Sequence, residues 1–232
     1  MIYSPSYQFR ENSELLTLIT KFSNSYLSIN VPIKETPEIC SHVKAEREKF
    51  NKFEPEVLQL YKNESLHFTL GAPVQFENIS LEKVKEKARP YENEIKKIVR
   101  EEISKLRPFS IAAKFTKATP KSIFVFVSLE KEIEESIETF QEKIVGKIYD
   151  VLKNTDAKKY EENKFFGRPV NFARWNVEKL PEGAKEFFGR HTKGFTEEVK
   201  EEGLVSKAVL TYSDQAWSNP ERDSIQEFTL GK

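Results

Sequence analysis

The 232-residue chain contains one cysteine, one methionine and three histidines. A lone Cys40 excludes a disulfide framework and any cysteine-rich zinc or iron–sulfur site. With imidazoles only at His42, His67 and His191, a mechanism that needs several of them is tightly constrained. The eight glycines form no phosphate-cradling run, and Gly71 and Gly167 read as turn or bulge positions. Long hydrophobic runs are missing too: the strongest, from Ile123 to Leu129, is far short of the ~20 residues that cross a bilayer. The opening MIYSPSYQFRENSE lacks the basic start and apolar stretch of a signal peptide, so an intracellular, cytoplasmic location is expected. Nor is there an excess of charge, since 37 Lys plus Arg balance 37 Asp plus Glu. That balance removes bulk attraction to nucleic acid and leaves a local basic cleft as the way to hold such a ligand.

Aromatic residues are plentiful: 18 Phe, 8 Tyr and 2 Trp argue for a packed core, because disordered chains are poor in them. The length suits one large domain or two small ones. No Gly-, Ser- or Pro-rich linker divides the chain, so one two-lobed body over 1–232 is expected. Its first lobe would cover about 23–107 and its second about 108–232, with strand exchange between them possible and 1–22 as a helical extension.

Period-2 alternation sets Tyr26, Ser28 and Asn30 against Leu27, Ile29 and Val31, which predicts a strand over 25–33. Pro37 can open a helix to about Phe53 with Thr36 as its cap. A second strand is expected over 65–76. Leu81, Val84, Ala88, Tyr91, Ile95 and Ile98 share a helical face, with Pro90 marking a kink or a division into two helices. Strands at 108–115 and 122–129 read as a hairpin, followed by a helix over 129–152. A strand is expected over 164–175, partial helix over 182–202, and a closing strand pair at 207–214 and 224–231. Irregular alternation with hairpins makes the class α+β rather than a doubly wound parallel sheet.

The most informative segment is Leu66-His67-Phe68-Thr69-Leu70-Gly71. On a strand, His67 and Thr69 project to one side while Leu66, Phe68 and Leu70 turn to the core. An imidazole beside a hydroxyl can bind a phosphoryl oxygen and move a proton to or from it. As a bare pattern, the pair also fits a solvated strand face.

In element order, in the HFTL strand and in the closing AVLTYSD and IQEFTLGK strands, the chain resembles the two-histidine phosphoesterase superfamily. That group includes bacterial 2′-5′ RNA ligase-like proteins and cyclic nucleotide phosphodiesterases. The resemblance implies two pseudo-symmetric lobes of antiparallel strands with outer helices, around a cleft to which each lobe gives one His-x-Thr/Ser motif. It also implies chemistry without metal or cofactor, on a 2′,3′-cyclic or 2′-5′ phosphodiester of RNA or a nucleotide. His67 would be the general acid/base and Thr69 the phosphate-oxygen ligand.

The second motif departs from the family. Aligning Arg168-Pro169-Val170-Asn171-Phe172-Ala173-Arg174-Trp175 on its Ala-Arg places Pro169 at the histidine and Asn171 at the threonine. Asn171 can bind a phosphate or a base edge but cannot act as acid or base near neutral pH. Losing one acid/base partner costs about 10²–10⁴ in rate, or roughly 3–5 kcal/mol of barrier. A binding module for RNA, a nucleotide or a protein on the same scaffold is therefore the alternative.

The remaining candidates each carry two readings. Arg174 could pair with phosphate. Trp175 could stack on a base or belong to the core. Tyr26 and Tyr212 lie on expected strands and could face the cleft. His191 has the right chemistry without the motif's spacing, and His42 reads as a helix-boundary residue. Lys114, Lys117 and Lys121 cluster at the hairpin, either guiding an RNA strand or balancing the acidic helix that follows.

Overall fold

The computed structural model describes residues 25–118, 122–159, 168–175, 201–213 and 223–231. The expected helix over 12–22, the bulk of 182–202, His191 and Lys121 lie outside them.

Strand β1 (Ser25–Pro32) keeps the alternation of its sequence and leads through a 3-10 turn into helix α1 (Pro37–Glu48). Thr36 stands at the head of α1 without capping it: its hydroxyl instead donates to the Ile33 carbonyl at 3.0 Å. The helix ends at Glu48, short of Phe53, and turns carry the chain to a short strand β2 (Leu58–Leu60) and then β3 (His67–Phe76). Pro90 divides the next helical run, as expected of a residue with no amide hydrogen, into α2 (Leu81–Ala88) and α3 (Glu92–Ile103). The hairpin β4 (Phe109–Ala118) and β5 (Ser122–Ser128) precedes α4 (Lys131–Leu152), a two-residue β6 (Lys158–Lys159) and β7 (Arg168–Trp175). Residues 201–202, expected at a helix end, belong instead to strand β8 (Glu201–Val205); β9 (Lys207–Ser213) and β10 (Ser224–Thr229) close the fold. Glu202 and Leu204 are exposed while Gly203 and Val205 are buried, the two-residue alternation of a strand.

Among the described residues the strands form two five-stranded sheets, entirely antiparallel, in the orders β10-β9-β1-β3-β6 and β2-β7-β5-β4-β8. The α+β class and the two lobes follow directly. Each sheet draws strands from both sides of residue 107, so the sequence boundary there does not separate them.

The helices are exchanged in a matching way. Helix α1 lies in sequence between β1 and β3 of the first sheet, yet packs on the second. There Phe50 meets Phe172 at 5.6 Å between ring centres, and Glu46 accepts a 2.7 Å hydrogen bond from Thr116. Helix α4 lies between β5 and β7 of the second sheet, yet packs on the first, where Gln141 donates to the Leu70 carbonyl. The short strands follow suit, β2 joining β7 and β6 joining β3. The run β1–α1–β2–β3 thus has a structural counterpart in β5–α4–β6–β7.

Helices α3 and α4 are tied by Glu102, 2% exposed, which accepts from Lys105 at 2.7 Å and from Lys147 at 2.6 Å. Burial alone would raise this carboxyl, but the two ammonium groups more than offset it and hold it below the usual carboxylate range.

Candidate functional site

His67 and Thr69 begin β3, and the alternation that exposes them in part buries Phe68 and Leu70 completely. Their aim depends on β-bulges. Along β1, Ile29 pairs with Gly71 and Asn30 with Thr69, so Leu70 is an extra residue in β3. A bulge of this kind bends the strand and re-aims its side chains. A Cβ built on Gly71 would lie 2.8 Å from Ile144 Cδ1, so the missing side chain lets α4 come close behind the motif.

The same device recurs in the second sheet. Along β5, Ile123 pairs with Ala173 and Phe124 with Asn171, leaving Phe172 as the extra residue in β7. Superposing one bulge on the other matches Thr69 with Asn171 and His67 with Pro169, whose partners are Pro32 and Phe126. Strand register therefore gives the same correspondence as the Ala-Arg alignment. Between the two sheets, β3 and β7 are the neighbouring strands.

The His67 ring is oriented by its own backbone. Its Nδ1 lies 2.6 Å from the Ser65 carbonyl oxygen, which can only accept. Nδ1 must carry the hydrogen, so Nε2 holds the lone pair in the neutral ring. Ser65 is fixed in a 3-10 turn, and the Leu66 carbonyl accepts from the Ile33 amide at 2.9 Å.

Behind Thr69 runs a chain of polar side chains that motif reasoning missed. The Thr69 hydroxyl donates to Asn30 Oδ1 at 3.0 Å, and Asn30 Nδ2 donates to Ser28 Oγ at 3.1 Å. Ser28 Oγ then shares a 2.9 Å hydrogen bond with Ser213 Oγ of β9. Asn30, Ser28 and Ser213 are 0%, 3% and 6% exposed. Their signal in the sequence was the polar half of the β1 alternation, which fits a solvated face equally well.

The other candidates divide between faces. Tyr26 pairs with Ser213 and Gln75, on the same face as Ser28 and Asn30, and is partly exposed. Tyr212 pairs with Leu27 and so faces the opposite way; it is 2% exposed and its hydroxyl donates to Glu92 of α3 at 3.0 Å. Burial first, and the Glu92 carboxylate second, push this phenol well above its usual range. The geometry thus makes Tyr212 a tie between sheet and helix rather than a cleft residue. In β7, Asn171 pairs with Phe124 and Arg174 with Ser122, all partly exposed, while the β5 residues of the other face, Ile123 and Val125, are fully buried. Trp175, 5% exposed, packs edge-on against Phe53 at 5.3 Å between ring centres, which is the core alternative of its two readings. Lys117 pairs with Phe124, in line with Asn171, whereas Lys114 falls at a register break of β4. His42, on α1, lies near Glu46.

No protein-family model and no curated protein matches the sequence. Solved structures are similar in fold. TT0787 of Thermus thermophilus is 14% identical with a TM-score of 0.54, over 89% of this chain and 99% of that one. A conserved protein of unknown function, ATU0111 of Agrobacterium tumefaciens str. C58, is 10% identical with a TM-score of 0.52, over 82% and 81%. Escherichia coli LigT complexed with NADP+ is 15% identical with a TM-score of 0.48, over 91% and 99%. The chain therefore has the two-lobed α+β fold expected from its resemblance to the two-histidine phosphoesterases.

Proposed function

We propose that this chain binds and cleaves a 2′,3′-cyclic or 2′-5′ phosphodiester of a nucleotide or RNA, with His67 as its acid/base. The observation that carries this reading is the Ser65 carbonyl held against His67 Nδ1, which leaves the basic nitrogen at Nε2. Thr69 sits beside the imidazole as ligand for a phosphoryl oxygen. Asn171 and Arg174 contact the phosphate from the adjoining strand, Arg174 as a charged donor. Tyr26 completes the wall on the first sheet.

In the hydrolysis of a cyclic phosphate, water attacks phosphorus and gives its proton to His67 Nε2 as the P–O bond to a ribose oxygen breaks. Pro169, the residue matched with His67 by the two bulges, carries no acid/base group, so in this reading the leaving oxygen takes its proton from solvent. One acid/base in place of two predicts turnover about 10²–10⁴ below a complete pair. Charge neutrality of the whole chain favours a small or locally held ligand over a long polyanion.

A turnover panel of 2′,3′-cyclic nucleotides and 2′-5′-linked dinucleotides, run on the wild type and His67→Ala, tests the reading. We expect slow cleavage of at least one substrate by the wild type and a loss of about 10²–10⁴ in the variant. Unchanged turnover in His67→Ala would sink the assignment. Nucleotide binding with no cleavage by either protein would instead make this a binding module.

A further inference from the structure

We propose that Asn30 is a positioning residue for Thr69, and that the chain Thr69–Asn30–Ser28–Ser213 reverses its hydrogen-bond direction when a phosphoryl oxygen binds. The inference rests on the phosphodiester reading above and gives that site a part on β1 and β9.

A hydroxyl has one hydrogen. In the arrangement of the structure Thr69 commits it to Asn30 Oδ1 at 3.0 Å, so only lone pairs point outward. A phosphoryl oxygen also presents only lone pairs, and the two repel. Half a turn of the Asn30 carboxamide exchanges its oxygen and nitrogen at nearly the same positions. Nδ2 then donates to Thr69 Oγ1, the Ser28 hydroxyl to Asn30 Oδ1, and the Ser213 hydroxyl to Ser28. The Thr69 hydrogen is released to the phosphoryl oxygen. No backbone shift is needed, since the present spacings of 3.0, 3.1 and 2.9 Å serve either direction. Because an amide neither gains nor loses a proton near neutral pH, the chain transmits direction and not protons.

Two further observations support this. The members of the chain behind Thr69 are almost wholly buried, where hydrogen bonds polarise one another and a wrong direction is costly. The arrangement is also absent from the matching half: superposing the bulges puts Phe124 in the place of Asn30. The fold tolerates an apolar residue there, and the polar chain accompanies the motif that keeps its histidine. Opposite Ser28, Thr211 Oγ1 is buried with no hydrogen-bond partner among the described residues.

The test compares wild type, Asn30→Asp, Asn30→Ala, Thr69→Val and the two double variants. Binding of 3′-AMP is measured by calorimetry, turnover of 2′,3′-cyclic AMP by chromatography, and folding by thermal melting. A carboxylate only accepts, so Asn30→Asp holds the Thr69 hydrogen inward. A lost hydrogen bond to a charged oxygen predicts about 10- to 100-fold weaker binding. Adding Asn30→Ala to Thr69→Val should cost nothing more, because Asn30 acts through Thr69; the Asn30→Asp carboxylate also repels the phosphate directly, so the Asn30→Ala cycle carries the non-additivity test. Additive losses, or Asn30 variants within twofold of wild type while Thr69→Val is impaired, overturn the relay and leave the phosphodiester reading standing. A wild type that neither binds 3′-AMP nor turns over the cyclic nucleotide overturns both.

Discussion

One substitution, made at two glycines, is expected to move stability in opposite directions. A Cβ at Gly203 would lie 2.6 Å from Thr36 Cβ, 2.9 Å from Thr36 Cγ2 and 3.2 Å from Ile39 Cγ1. Carbon atoms prefer about 3.5–4.0 Å, so roughly an ångström must be found at the head of α1. Thr36 is poorly placed to yield. It is fully buried, its hydroxyl and its amide both donate to the Ile33 carbonyl, and its own carbonyl accepts from the Cys40 amide. Overpacking of this kind costs about 1–3 kcal/mol, a fall in Tm of about 2–12 °C at roughly 2–4 °C per kcal/mol for a chain this long. Gly146, inside α4, has nothing within 4 Å of its would-be Cβ. Alanine there removes the backbone-entropy cost of glycine in a helix and should stabilise by about 0.5–1 kcal/mol. Urea unfolding followed by circular dichroism measures both. Gly203→Ala within about 0.5 kcal/mol of wild type, the usual effect at a surface site, would refute the packing argument; so would a destabilising Gly146→Ala.

Two more outcomes can be read from the same structure. Pro169→His with Asn171→Thr rebuilds the missing motif at the positions set by the Phe172 bulge. It should raise cyclic-phosphate turnover by up to about 10²–10⁴, and no gain would mean that the two bulges do not place equivalent side chains. Glu46 is 8% exposed. Burial alone would raise its carboxyl, but the Lys49 and Thr116 hydrogen bonds, with the charges of Lys49 and His42, hold it below the usual range. A depressed folded-state value contributes stability above the unfolded value of about 4.3, and loses it as pH falls through the folded one. Urea midpoints should therefore drop more steeply below about pH 4.3 in wild type than in Glu46→Gln.

Where periodicity was strong, the sequence carried the elements. The run from Leu81, the Pro90 division and the helix ending at Leu152 all stand where local pattern put them. What local pattern lacked was pairing. β2 and β6, three and two residues long, exist because an edge of the opposite sheet is available to them. β8 itself, EEGLV, offers no two-residue alternation of residue types, and only its burial shows one. At the site, His67-x-Thr69 was legible because the chemistry is in the residue types. The Asn30 chain was not, since nothing in SINVP says whether its polar side faces water or a second hydroxyl. Trp175 and Tyr212 show the converse: their types suit a ligand, and a one-residue difference in register turns Tyr212 to Glu92 of α3 and Trp175 to Phe53 instead.

The interleaved sheets also bear on how the molecule is made. β1 is made well before its pairing partner β9, and β10 adds to β9 later still. Contacts so distant in sequence slow folding, because the loop must close before the pairing is gained. The first motif leaves the ribosome with half its sheet unmade and with Asn30 waiting for Ser28 to find Ser213. A ribosome-bound chain halted before β9 should expose the open edge of β1 and be a target for chaperones, and neither lobe is expected to survive as a proteolytic fragment.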